Sequence, residues 1–373
     1  MKKTIISVIF LMMTLVLTAC LEQYNLEKLG LATVIGYDLD KEEVRATAVL
    51  NQFQPEEKNA FQVVSSPGNT SKTSRQSSNL ETSNKIVGGQ LRVVVLGESL
   101  AEEGVLSITD TLSRDASIGT MLYLCVSKGN AKEILETKPP VSDMGTYLYN
   151  LLKQNIEGEL LVSATLHEFL QAYYDPGKDP ILPLVTMEDK SVKADGLVVF
   201  NNDKVVGFLK GDEGFYIKLI RERFKAGSTE ISIPSESVKK FIKNKPKKEN
   251  IFVVVDDIKS NSKITLVEAS TPKYKITIHI DSVIKEVSEE VILEDPESLK
   301  TLEELIEKEM EKKVNNIMKK LQEMNSDPLG FGMVYDSSIR NKKLTHEEWK
   351  DMFPHAEFDV EINVDIVKTG IVE

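Results

Sequence analysis

The sequence predicts an α+β protein of three mixed domains, the last a mainly antiparallel sheet covered by a long amphipathic helix. Three patterns carry this reading. Through the first half, apolar runs of strand length take turns with helical patterns, which indicates mixed α and β structure. Towards the end, two segments alternate strictly. Tyr274, Ile276, Ile278 and Ile280 alternate with Lys275, Thr277, His279 and Asp281, and Ala356, Phe358, Val360, Ile362, Val364 and Ile366 with Glu357, Asp359, Glu361, Asn363 and Asp365. A period of two puts the apolar side chains on one face of a strand. Between these strands Leu302, Leu305, Ile306, Met310, Ile317, Met318 and Leu321 recur at helical spacing. A helix of that kind laid on one face of the sheet covers both apolar surfaces.

At the N-terminus, Lys2 and Lys3 precede an apolar run from Thr4 to Leu17. The run is shorter than the roughly 20 apolar residues of a membrane span, and with its basic start it reads as an export signal. It closes on Leu17-Thr18-Ala19-Cys20, which resembles the lipobox of bacterial lipoprotein precursors. That resemblance implies removal of residues 1–19 and a diacylglycerol on the sulfur of Cys20, which tethers the mature chain to the outer face of the cytoplasmic membrane. Two acyl chains hold a protein at a bilayer where one does so only marginally. No later apolar run is long enough for a second span.

The chain carries 46 basic and 58 acidic residues, a net charge of −12, and loss of the leader removes only Lys2 and Lys3. Such a body repels nucleic acid and anionic lipid, so the tether has to do the localising. Of the two cysteines, Cys20 goes to the lipid, which leaves Cys125 without an intrachain partner. Within Met121-Leu122-Tyr123-Leu124-Cys125-Val126 it reads as a small buried core residue rather than a reactive thiol. A chain of 373 residues exceeds the usual size of one core. The expected division is 20–190, mixed α and β; 191–262, a hairpin, a helix and strands; and 263–373, the sheet with its long helix.

Leu31 to Asp38 and Val44 to Phe53 read as paired strands joined at Asp38-Leu39-Asp40-Lys41. From Ser65 to Ser83 the chain is rich in Ser, Thr and Asn, the mark of a solvated loop, a rim strand or both. Leu91 to Leu96 is a buried-type strand and Glu98 to Leu112 a helix. Met121 to Val126 is the next strand, followed by a short helix over Ala131 to Leu135 that Pro139-Pro140 stops. Tyr147 to Ile156 and Val162 to Tyr173 are helical, and Asp175-Pro176-Gly177-Lys178-Asp179-Pro180 is a strong break. Ala194 to Phe200 and Lys204 to Leu209 form a hairpin across Asn201-Asn202-Asp203. A helix over Tyr216 to Phe224 and strands at Thr229 to Ile233 and Ile251 to Val255 follow. The lysine-rich stretch Lys239 to Lys248 reads as a solvated helix end and turn. On the long helix, Glu304 with Lys308 and Glu309 with Lys313 form helix-supporting pairs. Thr345 with Glu348 makes a capping box for a helix through Trp349 to Phe353.

Four stretches together resemble a known family. They are the lipobox followed by Gly36-Tyr37-Asp38; Gly89-Gln90-Leu91-Arg92 through Gly97, Ala101, Gly104, Leu112 and Arg114-Asp115; Asp195-Gly196-Leu197-Val198-Val199-Phe200 with Lys204, Val206-Gly207, Leu209 and Glu213; and Asp327-Pro328-Leu329-Gly330-Phe331-Gly332 with Trp349, Phe353-Pro354 and a closing strand to Gly370. In their order and spacing the chain resembles the Ger(x)C lipoproteins, the C subunits of nutrient germinant receptors in spore-forming bacilli. It departs from them at Leu21-Glu22, where the family often has Trp-Asp. The resemblance implies a three-domain α+β protein at the outer face of the spore inner membrane. It also implies A and B membrane subunits as partners, a part in nutrient-triggered germination, and neither enzymatic activity nor a cofactor.

The residues themselves point to little chemistry. His167, His279, His346 and His355 are scattered, and His346-Glu347-Glu348 lacks the second histidine of a helical zinc site. No nucleophile elbow or phosphate-cradling loop appears, and Gly330-Phe331-Gly332 reads as a backbone turn. Arg114-Asp115 reads as a structural ion pair rather than a substrate clamp, and Glu286, Glu289, Glu290, Glu294 and Asp295 as a solvated loop rather than a cation site. No catalytic, cofactor or metal residue is therefore assigned, and Cys20, as the lipid attachment point, is the one site residue. The alternative function is a solute-binding lipoprotein that delivers a ligand to a membrane transporter. Such binders show two similar α/β lobes, which the sheet, long helix and return strand of the last third do not match.

Overall fold

The computed structural model describes residues 28–52, 60–139, 143–158, 160–189, 191–225, 227–243, 248–339 and 343–369. The export signal, Cys20, Leu21-Glu22, Phe53, Pro140, residues 244–247 of the lysine-rich stretch and Gly370 lie outside them. No helix among the described residues is long and apolar enough to cross a membrane.

The first sheet begins with the expected hairpin: β1 (Leu29–Asp40) pairs antiparallel with β2 (Glu43–Gln52) across a turn with Lys41 at φ 62°. β3 (Ala60–Gly68) continues it as the rim strand. The Ser-rich stretch beyond it is not only loop. Helix α1 (Ser71–Leu80) buries Ser71, Ser74 and Ser78 against the sheet, with Ser74 Oγ donating to Val44 O at 2.6 Å. Its buried stripe has helical spacing but hydroxyls in place of hydrocarbon, so a search for apolar periodicity passes over it.

β4 (Lys85–Val87) and β5 (Val93–Gly97) both pair in parallel with β1. Glu98 to Leu112 forms two helices rather than one, α2 (Glu98–Glu103) and α3 (Leu106–Ser113), because Gly104 turns the chain at φ 132°. The carboxylate of Asp203, in the later hairpin turn, accepts the Leu106 N–H and so caps α3. β6 (Tyr123–Ser127) is followed by α4 (Ala131–Glu136), α5 (Met144–Glu157) and α6 (Leu166–Tyr174). β7 (Ile181–Glu188), which the sequence reading did not assign, pairs with β6, and the hairpin of β8 (Ser191–Asn201) and β9 (Lys204–Leu209) completes the sheet. The strand order is β3-β2-β1-β5-β6-β7-β8-β9, with β4 beside β1. Both faces are covered. Val93, Val95 and Cys125 pack with Ile134, Leu148 and Leu152, while Val94, Leu96 and Val126 pack with Leu100, Ile108, Leu112 and Phe169. This explains why the central strands are unbroken apolar runs rather than alternating ones.

Helix α7 (Gly211–Arg221) leads into the second sheet, β10 (Gly227–Pro234), β11 (Asn250–Glu268), β12 (Lys273–Val287) and β13 (Glu357–Thr369), in that order. The sheets cut across segment 191–262, whose hairpin belongs to the first and whose strands belong to the second. β10, β11 and β12 pair antiparallel, but β13 runs parallel to β12, since the chain crosses over through helices before it returns. The crossover is α8 (Pro296–Glu323), α9 (Phe331–Ser338) and α10 (His346–Met352). Asp295 caps α8, Pro296 occupies its first turn, and Leu302, Ile306, Met310, Ile317, Met318 and Leu321 are buried as the spacing requires. The wet-side pairing differs from expectation: Glu304 lies 4.0 Å from Lys300, Glu309 3.5 Å from Lys312, and Lys313 3.7 Å from Asp212 on α7. The Thr345–Glu348 capping box of α10 forms as read. One apolar core continues from the first sheet through α7 to the second sheet and α8.

Candidate functional site: the charged junction between the sheets

The two sheets meet where the break 175–180 crosses segment 325–333. Both contribute Gly: a Cβ on Gly177 would stand 2.2 Å from Gly332 C, and one on Gly332 2.4 Å from Gly177 Cα. Backbone touches backbone there, and Met333 N–H donates to Gly177 O at 3.2 Å. The "turn" at Gly330-Phe331-Gly332 is the start of α9, organised by the buried carboxylate of Asp327. That carboxylate accepts the N–H groups of Gly330 (2.8 Å) and Gly332 (2.9 Å) and the Trp349 indole N–H (3.1 Å). Burial pushes Asp327 up to about 7 against the pull of these donors.

Asp179 holds the other side. It accepts Asp327 N–H at 2.7 Å and Asn202 N–H at 3.0 Å, and both its oxygens receive Lys350 Nζ at 2.7 Å. Lys350 also donates to Asn325 O, and Ser326 Oγ to Phe200 O at 2.6 Å. The junction is thus a polar network between α10, the segment before α9 and the end of β8, in which the buried Asn325 Oδ1 is left without a partner among the described residues.

Beside it opens a cleft of about 210 Å³ lined by Glu168, Gln171, Ala172, Asp175, Lys178, Arg221 and Met333. α6 supplies Glu168 because Thr165 caps that helix: Glu168 Oε2 accepts Thr165 N–H, Thr165 Oγ1 and Ser163 Oγ at 2.8 to 2.9 Å. Asp175 Oδ1 accepts Gly177 N–H at 2.9 Å. α7 supplies Arg221 as its last residue. Burial draws Arg221 and Lys178 below their ordinary values, and for Lys178 the nearby Arg221 adds to the effect.

The sequence-selected residues fall elsewhere. Arg114 and Asp115 do not pair with each other: Arg114 binds Asp110 at 2.8 Å, and Asp115 receives Arg75 of α1 at 3.3 Å. In the acidic run, Glu290 faces Lys243 at 3.4 Å and Asp295 caps α8. Cys125 is buried and burial raises its thiol pKa, which makes it inert. Among the described residues no three His, Cys, Asp or Glu side chains are grouped to hold a metal ion. The motif residues Gly36 and Asp38 prove to be scaffold. Asp38 caps α4 through the N–H groups of Ala131 (2.7 Å) and Lys132 (2.9 Å), and a Cβ on Gly36 would come within 2.9 Å of Ala131 Cβ. Sequence reasoning passed over Asp179, Lys178 and Arg221, since a break rich in Asp, Pro and Gly reads as turn chemistry and nothing in the spacing of the helix Tyr216 to Phe224 marks Arg221. The available signal was the two prolines and one glycine that fix the break at 175–180.

Two family models match the chain, one described as "Spore germination protein N-terminal domain" over residues 22–187 and one as "Spore germination B3/ GerAC like, C-terminal" over residues 195–370. The chain is 24% identical to spore germination protein GerQC of Bacillus cereus over 98% of this chain and 99% of that one. It is 23% identical to spore germination protein KC of Bacillus subtilis (strain 168) over 99% and 97%. The crystal structure of the GerBC protein shares the fold at TM-score 0.56 and 17% identity, covering 89% of this chain and 96% of that chain. With both halves matched in order along one α+β architecture, the chain belongs to the Ger(x)C family of spore germination proteins.

Proposed function

We propose that this spore germination protein is the lipid-anchored C subunit of a nutrient germinant receptor, held at the outer face of the spore inner membrane beside A and B membrane subunits. It acts by assembly with them rather than by catalysis. The reading is carried by the end-to-end match to spore germination proteins downstream of a lipobox at Cys20. The physical logic is consistent with it. An acidic body with no apolar spanning helix among its described residues needs a tether at an anionic bilayer, and two acyl chains suffice. The network at the junction is polar and ties α10 and the segment before α9 to the break at 175–180, as suits a rigid connector between two sheets.

In spores carrying Cys20→Ala, the protein leaves the membrane fraction and nutrient germination is slowed or lost. Full membrane association of that variant contradicts the proposal. Extraction in mild detergent brings A and B subunits down with the wild-type chain. Recovery of the chain alone, tightly bound to a small solute, supports a solute-binding lipoprotein instead.

A further inference from the structure

We propose that the cleft beside the junction binds a small carboxylate-bearing molecule, with Arg221 as its main anchor and Lys178 as the second. Three observations lead there. The first is an imbalance of partners. Other sheltered cations of the fold are bonded: Lys350 to both oxygens of Asp179, Lys218 to Ile156 O at 2.6 Å and Leu161 O at 3.0 Å. The side chains of Arg221 and Lys178 line the cleft and, among the described residues, have neither a hydrogen bond nor an ion pair. Their donors open into the cleft, and an anion placed between the two would take them up and relieve the mutual repulsion of the two cations.

The second is that each nearby carboxylate already has one oxygen engaged by its own helix end or turn. Glu168 Oε2 is taken by three donors of the α6 cap, and Asp175 Oδ1 by the Gly177 N–H. These groups lend the cleft negative charge from beyond ion-pair distance, so the wall carries Arg221 and Lys178 against Glu168 and Asp175. A dianion would be opposed by that second pair. A single carboxylate takes the bidentate fork of Arg221, and an ammonium on the same molecule would find Asp175.

The third is position. The walls come from α6 and α7 beside the first sheet and from Met333 on α9, next to the Gly177–Gly332 crossing. A ligand there touches both parts of the molecule, so its binding favours the joined arrangement by mass action. A volume of about 210 Å³ suits a metabolite rather than a polymer.

The test uses the full-length lipidated chain in detergent micelles, titrated with propionate, glycine and inorganic phosphate and followed by calorimetry and thermal unfolding. Saturable binding of propionate or glycine with a rise in Tm is expected, with phosphate weaker than both. Arg221→Gln lowers carboxylate affinity about tenfold or more, in line with loss of a charge-assisted pair. Lys178→Gln lowers it less and does not lower the ligand-free Tm, which keeps the test valid should Arg221→Gln fold poorly. Absence of saturable carboxylate binding, phosphate binding more tightly than both carboxylates, or affinity unchanged in Lys178→Gln overturns the proposal. Because no partner subunit is present, failure here leaves the receptor assignment standing.

Discussion

The carboxylate of Asp327 binds three N–H donors from two helices while buried, and its acidity follows from that conflict. Burial disfavours the charge and raises the pKa to about 7; the donors favour the charge and keep it from rising further. A folded pKa above the unfolded value means that the folded state holds its proton more tightly. The stability contributed by this group is therefore full below the unfolded value of about 4 and is lost as pH rises through about 7. Chemical denaturation from pH 5 to 8 should show this fall in the wild type and lack it in Asp327→Asn. The same variant turns an amide N–H towards an N–H donor, and a loss of about 2–3 kcal/mol at pH 6 is expected. Equal stability across that range in both proteins would refute the assignment.

At the scale of the element, α8 does more than cover a face. Glu303, Glu307 and Glu311 lie one turn apart and accept the N–H groups of Ile366 (2.9 Å), Val364 (2.9 Å) and Ile362 (3.1 Å) along β13. β13 is an edge strand, and its outward N–H groups would otherwise be a template for another chain. The helix closes that edge with side chains instead of a strand. Burial, with Glu311 and Glu303 nearby, raises Glu307 against the Val364 N–H. Glu307→Gln keeps an acceptor and should fold normally. Glu307→Leu leaves the Val364 N–H without one and costs about 1–2 kcal/mol. Urea titration of the two variants separates these outcomes, and equal stability of both would show that the ladder contributes nothing.

For the whole molecule, the question is what makes two sheets behave as one body. Lys350, Asp179 and Asp327 join α10 and the segment before α9 to the break ahead of β7, beside the shared apolar core. Lys350→Met leaves Asp179 buried with its counter-ion gone, a change worth about 3–5 kcal/mol. That loss falls on the junction rather than inside either sheet. Calorimetry should therefore resolve two unfolding transitions in the variant where the wild type shows one. A single transition, lowered as a unit, would mean that the apolar core through α7 alone fixes the arrangement.

The amino-acid order by itself determined the elements whose signal is local. Alternation in Tyr274 to Ile280 and Ala356 to Ile366, the stripe from Leu302 to Leu321, the Thr345–Glu348 box and the Asn201-Asn202-Asp203 turn all became the structures they spell, because period and capping are properties of neighbouring residues. Only the tertiary structure decided what depends on residues far apart. It capped the helix from Leu106 with the distant Asp203, folded a serine-faced helix against β2, and ran β13 parallel to β12 with glutamates along its edge. It also set Arg221 beside Lys178 in one cleft, with Glu168 and Asp175 on the same wall. Such features arise from burial and from competition for hydrogen-bond partners, and neither exists until the chain has folded.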